Sequence, residues 1–155
     1  MSNPVKPIPD GYHSVTPYLI ISGAAKAIEF YKTVFAADEI VRIDMGGGTI
    51  GHAELRIGDS IIMLADEFPH MEARSPKSFG GTPVGIHLYV ENCDATIQRA
   101  VAAGATISRP IQDQFYGDRS ATLYDPFGHQ WTISTHTEDL TPEEIKSRAA
   151  KLCGD

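Results

Sequence analysis

The alternation of apolar and polar positions predicts two similar runs of strands and helices along the chain. The elements of the first run are a strand at 14–22, a helix at 23–39 and strands at 39–45, 50–58 and 60–66. The helix shows apolar residues at the three- and four-residue spacing of one helical face, and the strands alternate or are continuously apolar. Glycines 46–48 and the Gly58–Asp59 pair are typical of the turns between such strands. Residues 14–66 are therefore predicted to form a β-α-β-β-β module.

The same order recurs after residues 67–83, which contain Pro, Gly and Ser without periodicity and are predicted to be a linker. The elements of the second run are a strand at 84–91, a helix at 92–104 and strands at 105–111, 118–125 and 129–136. Thr141 and Glu144 form a capping-box pattern that predicts a final helix over 141–152. The domain prediction is an extended arm at 1–13, a single domain at 14–137 whose modules span 14–66 and 84–137, and a C-terminal helix within 138–155.

An internal repeat supports this division. A shift of 69 residues superimposes the halves without a gap and matches apolar with apolar positions, as in the pairs Ile28 with Ile97 and Leu64 with Ile133. Each module then forms a small mixed sheet with a helix over one face, which defines an α+β fold. Two such sheets side by side are expected to form a curved trough with the helices outside, and a trough is a natural small-molecule site.

Composition narrows the possible partners. The 13 Lys and Arg residues against 20 Asp and Glu give a net charge of −7, which argues against nucleic acid as a partner. Cys93 and Cys153 have no metal-like spacing, so reduced thiols are the simpler interpretation. No apolar run approaches the roughly 20 residues that span a bilayer, and the N-terminus lacks the apolar centre of a signal peptide. A cytoplasmic protein without a membrane partner is predicted.

Three stretches resemble one superfamily. "AIEFYKTVF" in the first helix, "GHAELRIGDSIIMLAD" and "DPFGHQWTISTH" resemble the vicinal oxygen chelate superfamily, which includes glyoxalase I, bleomycin-resistance proteins and extradiol dioxygenases. The chain is most similar to its PhnB-like, glyoxalase-like branch, and the match covers roughly residues 14 to 137. The resemblance implies the fold described above, but one scaffold serves several chemistries.

The resemblance also implies four metal-ligand positions. Metal-dependent members place ligands, usually His and Glu, on the first and last strand of each module. These positions fall on Thr16, Met63, Gly85 and Thr132, and none of them offers the nitrogen or carboxylate that the usual divalent ions prefer. We therefore expect neither a metal nor a cofactor. "DPFGHQWTISTH" is accordingly interpreted as a hairpin with polar residues rather than one arm of a metal site with His129 and His136 as ligands.

Strand alternation selects candidate ligand-binding residues. The side chains predicted to face the trough on the first and last strands of the modules are Thr16, Tyr18, Met63, His87, Tyr89, Gln130 and Thr132. His87 is the best catalytic candidate, because a histidine among tyrosines can act as general base or orient a polar ligand. The alternative is a structural histidine held by a tyrosine hydroxyl.

Two further groups of candidates remain open. His52 and Glu54 share one strand face. Three interpretations of this pair are open: an acid/base pair, ligands of a divalent ion, or residues of a solvated outer strand. The shift of 69 pairs them with Ala121 and Leu123, so the halves disagree about which face is polar. In the loop at 112–119, Tyr116 and Arg119 are expected either to close over an anionic ligand or to belong to a plain hairpin, with Arg119 paired to Asp113 or Asp118.

The leading hypothesis is a glyoxalase/bleomycin-resistance-like protein that binds a small organic molecule without the usual metal. It either sequesters this molecule or performs metal-independent acid/base chemistry, so enzymatic activity is left open. The alternative is a metal-dependent lyase, isomerase or dioxygenase whose ligands have moved to His52, Glu54 and His87. Members of the family usually pair, so a homodimer is expected, with the first strand and the N-terminal arm supplying contacts.

Overall fold

The computed structural model describes residues 4–154, which form two compact units divided between Gly81 and Thr82. The elements of the first unit are β1 (Tyr18–Ile21), α1 (Ala24–Phe35), β2 (Asp38–Asp44), β3 (Ile50–Ile57), β4 (Ser60–Asp66), a 3-10 turn (Pro69–Met71) and α2 (Pro76–Phe79). Those of the second unit are β5 (Gly85–Tyr89), α3 (Cys93–Ala102), β6 (Thr106–Asp113), β7 (Asp118–Tyr124), β8 (Gln130–His136) and α4 (Pro142–Cys153). Residues 1–3 of the expected arm and residue 155 lie outside the described residues.

Each unit contains one four-stranded mixed sheet. The strand order is β1-β4-β3-β2 in the first unit and β5-β8-β7-β6 in the second. In both, the first strand pairs parallel with the last, and the remaining neighbours are antiparallel. The parallel pair requires a long crossover, which begins with α1 in one unit and α3 in the other. The α+β fold class is confirmed.

One face of each sheet is buried under its helix. In the first unit, Ile28 and Val34 of α1 and Ile21 of β1 are fully buried. In the second, Ile97 of α3 and Trp131 of β8 are buried in the same way. Successive strand residues point to opposite faces, so the residues between the buried ones form a second face, which carries the polar side chains.

The first strand is shorter than expected. The sequence predicts a strand over 14–22, but β1 begins only at Tyr18. Pro17 has no N–H to donate to a ladder, and only its carbonyl takes part, accepting from the Met63 backbone N at 2.9 Å. Val15, expected to be an apolar repeat position, is 85% exposed. The predicted N-terminal boundary of this strand is therefore wrong.

The internal repeat contains a gap that the sequence comparison missed. Glu54 pairs with Met63 in the first sheet, whereas Thr122 pairs with Thr132 in the second. The β4 and β8 partners differ by 69 positions, but the β3 and β7 partners differ by 68. The gapless superposition is wrong for the third strands.

The extra residue lies in the β7–β8 hairpin. Ile57 and Ser60 enclose two residues in the first unit, while the Asp125 backbone N binds the His129 carbonyl across three residues at 2.9 Å. The segment 125–129 therefore sets the hairpin, as expected, and also shifts the register by one residue. Because a one-residue shift reverses the side-chain face, the true equivalents of His52 and Glu54 are Ser120 and Thr122.

Candidate functional site

A row of four side chains crosses the polar face of the second sheet. His87 on β5 lies opposite Thr132 on β8, Thr132 lies opposite Thr122 on β7, and Thr122 lies opposite Arg109 on β6. Directly opposite residues on neighbouring strands point to the same face. The register therefore places a histidine, two hydroxyls and a guanidinium in one line across the sheet.

A cavity of about 550 Å³ opens over this row. Its lining residues are His87, Arg109, Pro110, Gln112, Gln114, Tyr116, Ser120, Thr122 and Thr132. Cavities of this size hold small organic molecules. His87, Tyr116 and Thr132 were candidates from the sequence, and the structure brings these three together around one cavity.

The imidazole of His87 is held by a buried serine. Its Nε2 lies 2.8 Å from the Oγ of Ser134, which is fully buried, while His87 itself is exposed. The His87 and Tyr89 rings are tilted, with centroids 4.8 Å apart. The expected tyrosine hydroxyl is not its partner, because the Tyr89 hydroxyl donates to Asp118 at 2.8 Å. His87 also lines the cavity.

Asp118 forms hydrogen bonds with both Tyr89 and His136. His136 places Nδ1 2.8 Å from Asp118 and Nε2 2.9 Å from Asp139. The hydrogen bond to Asp118, followed by that to Asp139, raises the pKa of His136 above its ordinary value. The hydrogen bond to Asp118 also raises the pKa of Tyr89. The carboxylate of Asp118 therefore favours the protonated form of both groups.

Arg119 does not line the cavity. Its neighbour Ser120 does, and alternation turns Arg119 towards α3, where its guanidinium binds both carboxylate oxygens of Asp94 at 2.8 and 3.0 Å. It also reaches Asp113 at 3.2 Å, and the hydrogen bonds to Asp94 raise its pKa. Of the two expected partners, Asp113 is present, and Asp94 takes the place of Asp118. The structure thus favours a structural salt bridge over a ligand contact at Arg119.

Sequence reasoning missed Arg109, Gln112, Gln114, Ser120 and Thr122. The strand at 105–111 showed no clean alternation, because β6 contains register irregularities around Arg109. The gapless repeat pairs His52 and Glu54 with Ala121 and Leu123, so it gave no indication that Ser120 and Thr122 belong to the polar face. The register shift in the β7–β8 hairpin was the signal that would have found them.

Gln130 occupies a different part of the same face. A Cβ atom built on Gly85 would lie 3.0 Å from the Gln130 Oε1. The Gln130 Nε2 in turn lies 3.4 Å from the Tyr124 hydroxyl. The carboxamide of Gln130 therefore covers the space where a side chain at position 85 would project.

The polar face of the first sheet carries a chain of four ionisable groups. The Tyr18 hydroxyl lies 2.9 Å from Nδ1 of His52, and Nε2 of His52 lies 3.0 Å from Glu54. The Tyr12 hydroxyl donates to the second oxygen of Glu54. The structure thus brings His52 and Glu54 together, as the sequence predicted, and adds two tyrosines.

Glu54 fixes the protonation pattern of this chain. The hydrogen bond from Tyr12, and then that from His52, lowers the pKa of the Glu54 carboxyl. Burial, followed by the charge of Glu54, raises the pKa of Tyr18. An ionised Glu54 can only accept, so the facing Nε2 of His52 carries a proton; in the tautomer protonated at Nε2 alone, Nδ1 accepts from the Tyr18 hydroxyl. A phenol, an imidazole and a carboxylate are arranged in series.

The four metal-ligand positions implied by the resemblance do not fit a His/Glu ligand set. Thr132 bonds the Thr122 hydroxyl at 3.0 Å, Gly85 is covered by Gln130, and Met63 offers a soft thioether. Thr16 precedes β1 and offers only a hydroxyl. Within residues 4–154, no group of three or more His, Cys, Asp or Glu side chains is placed to hold a metal.

The fold and this doubled module define the class of protein. The chain belongs to the Glyoxalase/Bleomycin resistance protein/Dioxygenase superfamily, whose family model matches residues 12–133. A curated relative, the uncharacterized protein Mb0911c of Mycobacterium bovis, is 41% identical over 137 residues, which cover 86% of this chain and 90% of that protein.

Two solved structures show the same fold. TioX from Micromonospora sp. ML1 is 26% identical with a TM-score of 0.62, and the alignment covers 83% of this chain and all of TioX (100%). A Bacillus cereus protein described as a PhnB protein and putative 3-demethylubiquinone-9 3-methyltransferase is 21% identical with a TM-score of 0.61, covering 79% and 99% of the two chains.

Of the helices in residues 4–154, none is long and apolar enough to cross a membrane.

Proposed function

We propose that this protein binds a small organic molecule on the polar face of its second unit and does so without a divalent metal. The main support is the cavity of about 550 Å³ over the row from His87 to Arg109. Thr132, where the metal-dependent pattern has a ligand, instead bonds the hydroxyl of Thr122 in the cavity floor. Hydroxyls, amides and a guanidinium recognise a polar organic ligand directly.

We also propose that the protein belongs to a PhnB-like branch of this superfamily. This agrees with the similarity of its fold to that of the Bacillus cereus PhnB protein. We also place the protein in the cytoplasm as a homodimer, and the exposed apolar side chains of Val41, Ile43 and Met45, which are 39%, 50% and 64% exposed, support the dimer. Exposed apolar surface of this kind is common at protein interfaces.

A ligand-observed NMR screen with a library of small organic fragments tests the binding site. Gln112→Trp places a bulky ring in the cavity from the exposed edge strand β6. The control is Ile107→Trp, because Ile107 lies on the same strand, is 43% exposed and pairs with Leu123 of the buried face. Fragments that bind the wild type should lose their saturation-transfer signal with Gln112→Trp and keep it with Ile107→Trp. A set of fragments equally unaffected by both variants would refute the site.

A second candidate function is metal-independent acid/base chemistry, which the chain from Tyr18 through His52 to Glu54 favours. The three groups lie within hydrogen-bonding distance in series. An orienting carboxylate, an imidazole and a hydroxyl in series are the arrangement by which a side-chain oxygen is activated. Tyr18 is the reacting group in this proposal, since it is 47% exposed while the Glu54 side chain is 13% exposed.

The tautomer of His52 tests this second proposal without a known substrate. The arrangement requires a proton on Nε2 and a lone pair on Nδ1 at neutral pH. The ¹⁵N shifts of the His52 ring should show this tautomer in the wild type and a mixture in Glu54→Gln. Tyr18→Phe serves as control, because it leaves the contact with Glu54 in place. A proton on Nδ1 in the wild type would remove the basis for proton transfer from Tyr18.

A further inference from the structure

The arginines of this protein differ in how their charge is satisfied. Arg42, Arg119 and Arg148 are each held by a carboxylate, with nitrogen–oxygen distances of 2.8, 2.8 and 3.0 Å. For Arg109, as for Arg56 and Arg74, no carboxylate lies within salt-bridge distance in residues 4–154, and of these three only Arg109 lines the cavity. Its guanidinium is exposed at the cavity and faces the same side of the sheet as Thr122.

The lining of the cavity has the opposite charge from the chain as a whole. The chain has 20 acidic against 13 basic residues, yet none of the described residues that line the cavity is Asp or Glu. Arg109 therefore projects into a neutral, hydroxyl- and amide-rich environment. In an acidic protein, a cation kept apart from carboxylates is available to a ligand that carries the negative charge.

The hydroxyls beside Arg109 also have protons to donate. Thr122 and Thr132 share one hydrogen bond at 3.0 Å, which uses one of their two hydroxyl protons. The Ser120 Oγ accepts from the Gln114 amide at 3.1 Å, which leaves its own proton for another acceptor. A ligand oxygen at this point of the cavity would receive hydrogen bonds from hydroxyls as well as from the guanidinium.

We propose that Arg109 anchors the carboxylate of an organic monoanion in this cavity. The planar fork of a guanidinium matches the two oxygens of a carboxylate. This inference rests on the proposed function, to which it adds the chemical class of the ligand and the residue that selects it. One cation with neutral donors around it suits a single negative charge rather than a dianion.

The row also sets the direction and reach of the ligand. His87 and Arg109 are three strands apart, which at a spacing of ~4.8 Å is roughly 14 Å between their Cα atoms. A ligand that places its carboxylate at Arg109 lies over Thr122 and Thr132 and extends towards the His87 ring. Tyr116 and Pro110 supply apolar walls. The ligand class is therefore an aromatic or otherwise flat carboxylate with a polar group near its far end.

The test compares 6-hydroxy-2-naphthoate with its neutral isostere 6-hydroxy-2-naphthamide by isothermal titration and by ¹H–¹⁵N shift mapping of the protein. The wild type should bind the carboxylate at least tenfold more tightly, about 1.4 kcal/mol. Arg109→Gln should weaken binding of the carboxylate far more than binding of the amide and so abolish this preference, while Arg109→Lys should keep part of it. Arg56→Gln is the control, because Arg56 is exposed in the other unit and the net charge changes equally. Melting temperatures verify that each variant is folded.

Three outcomes would overturn the inference. Equal affinities for carboxylate and amide in the wild type leave the proposed function standing and remove the anionic class. A carboxylate preference that survives in Arg109→Gln, or falls equally in Arg56→Gln, assigns it to another residue or to overall charge. Binding of neither probe refutes the flat-carboxylate ligand, and the fragment screen with Gln112→Trp then decides separately whether the cavity binds small molecules.

Discussion

Asp125 offers the sharpest test of how the second unit is held together. Its carboxylate is buried, and its Oδ1 accepts from the backbone N–H groups of Phe127 and His129 at 2.9 and 3.0 Å. Its Oδ2 accepts from the Trp131 indole at 3.0 Å. One side chain therefore fixes both the turn that carries the extra residue and the largest core side chain of β8.

The cost of Asp125→Ala follows from these three contacts. Hydrogen bonds to a charged group contribute ~1.5–3 kcal/mol each. The freed backbone donors regain part of this when the turn opens to water, whereas the indole N–H stays buried. We expect a loss of at least ~3 kcal/mol in the free energy of unfolding, or roughly 6–12 °C in melting temperature for a chain of this size.

Urea unfolding followed by fluorescence measures this loss in the right place. The chain contains a single tryptophan, and Trp131 is 1% exposed, so its emission reports on the second unit. Asp125→Asn should cost less than Asp125→Ala, because one oxygen still accepts from both backbone groups. Asp113→Ala, at an exposed ion pair, is the control and should stay within ~0.5 kcal/mol. A loss below ~1 kcal/mol for Asp125→Ala would refute the reasoning.

Four further predictions follow from the same geometry. Untagged protein should contain far less than one equivalent of Zn, Ni, Fe or Mn in metal analysis, and a stoichiometric metal would contradict the interpretation of Thr132 and Gly85. Light scattering at micromolar concentration should give a dimer, and a monomer would count against the homodimer. His87→Ala should weaken fragment binding at least tenfold with little change in melting temperature; unchanged binding with a lower melting temperature would make His87 structural. NMR titration should give His136 a pKa above that of an ordinary histidine, so its stabilising contribution is complete below the ordinary value and disappears as the pH rises through the folded-state value; a normal or lowered pKa would contradict the contacts with Asp118 and Asp139.

Much of the fold could be predicted from the sequence because the buried faces of the helices and strands consist of regularly spaced apolar residues. The helix of the first unit, the turns at 46–48 and 58–59, and the capping box of Thr141 and Glu144 all appear in the structure. The errors lie where apolar spacing carries no information. Pro17 shortens β1, and the extra residue at 125–129 changes the register without disturbing any apolar match in β8.

The candidate site was harder to predict for the same reason. The polar face has no packing constraint, so its residues obey no periodic pattern, and a one-residue error in register moves Ser120 and Thr122 to the wrong side. Arg119 and Arg109 show the consequence. Its proximity in sequence to aromatic residues made Arg119 the candidate for binding an anionic ligand. In the structure Arg119 forms a salt bridge with Asp94, and the strand pairing places Arg109 at the cavity.

The corrected register shows how one fold carries two different surfaces. The row that reads His87, Thr132, Thr122, Arg109 in the second unit corresponds to one that reads Tyr18, Met63, Glu54, Val41 in the first. The buried faces of the two units match apolar with apolar because each must pack against a helix. On the polar faces the Glu54 carboxylate corresponds to Thr122, and the Arg109 guanidinium corresponds to Val41. Packing does not explain that difference in charge, and the tests of Arg109 and of His52 address the two surfaces separately.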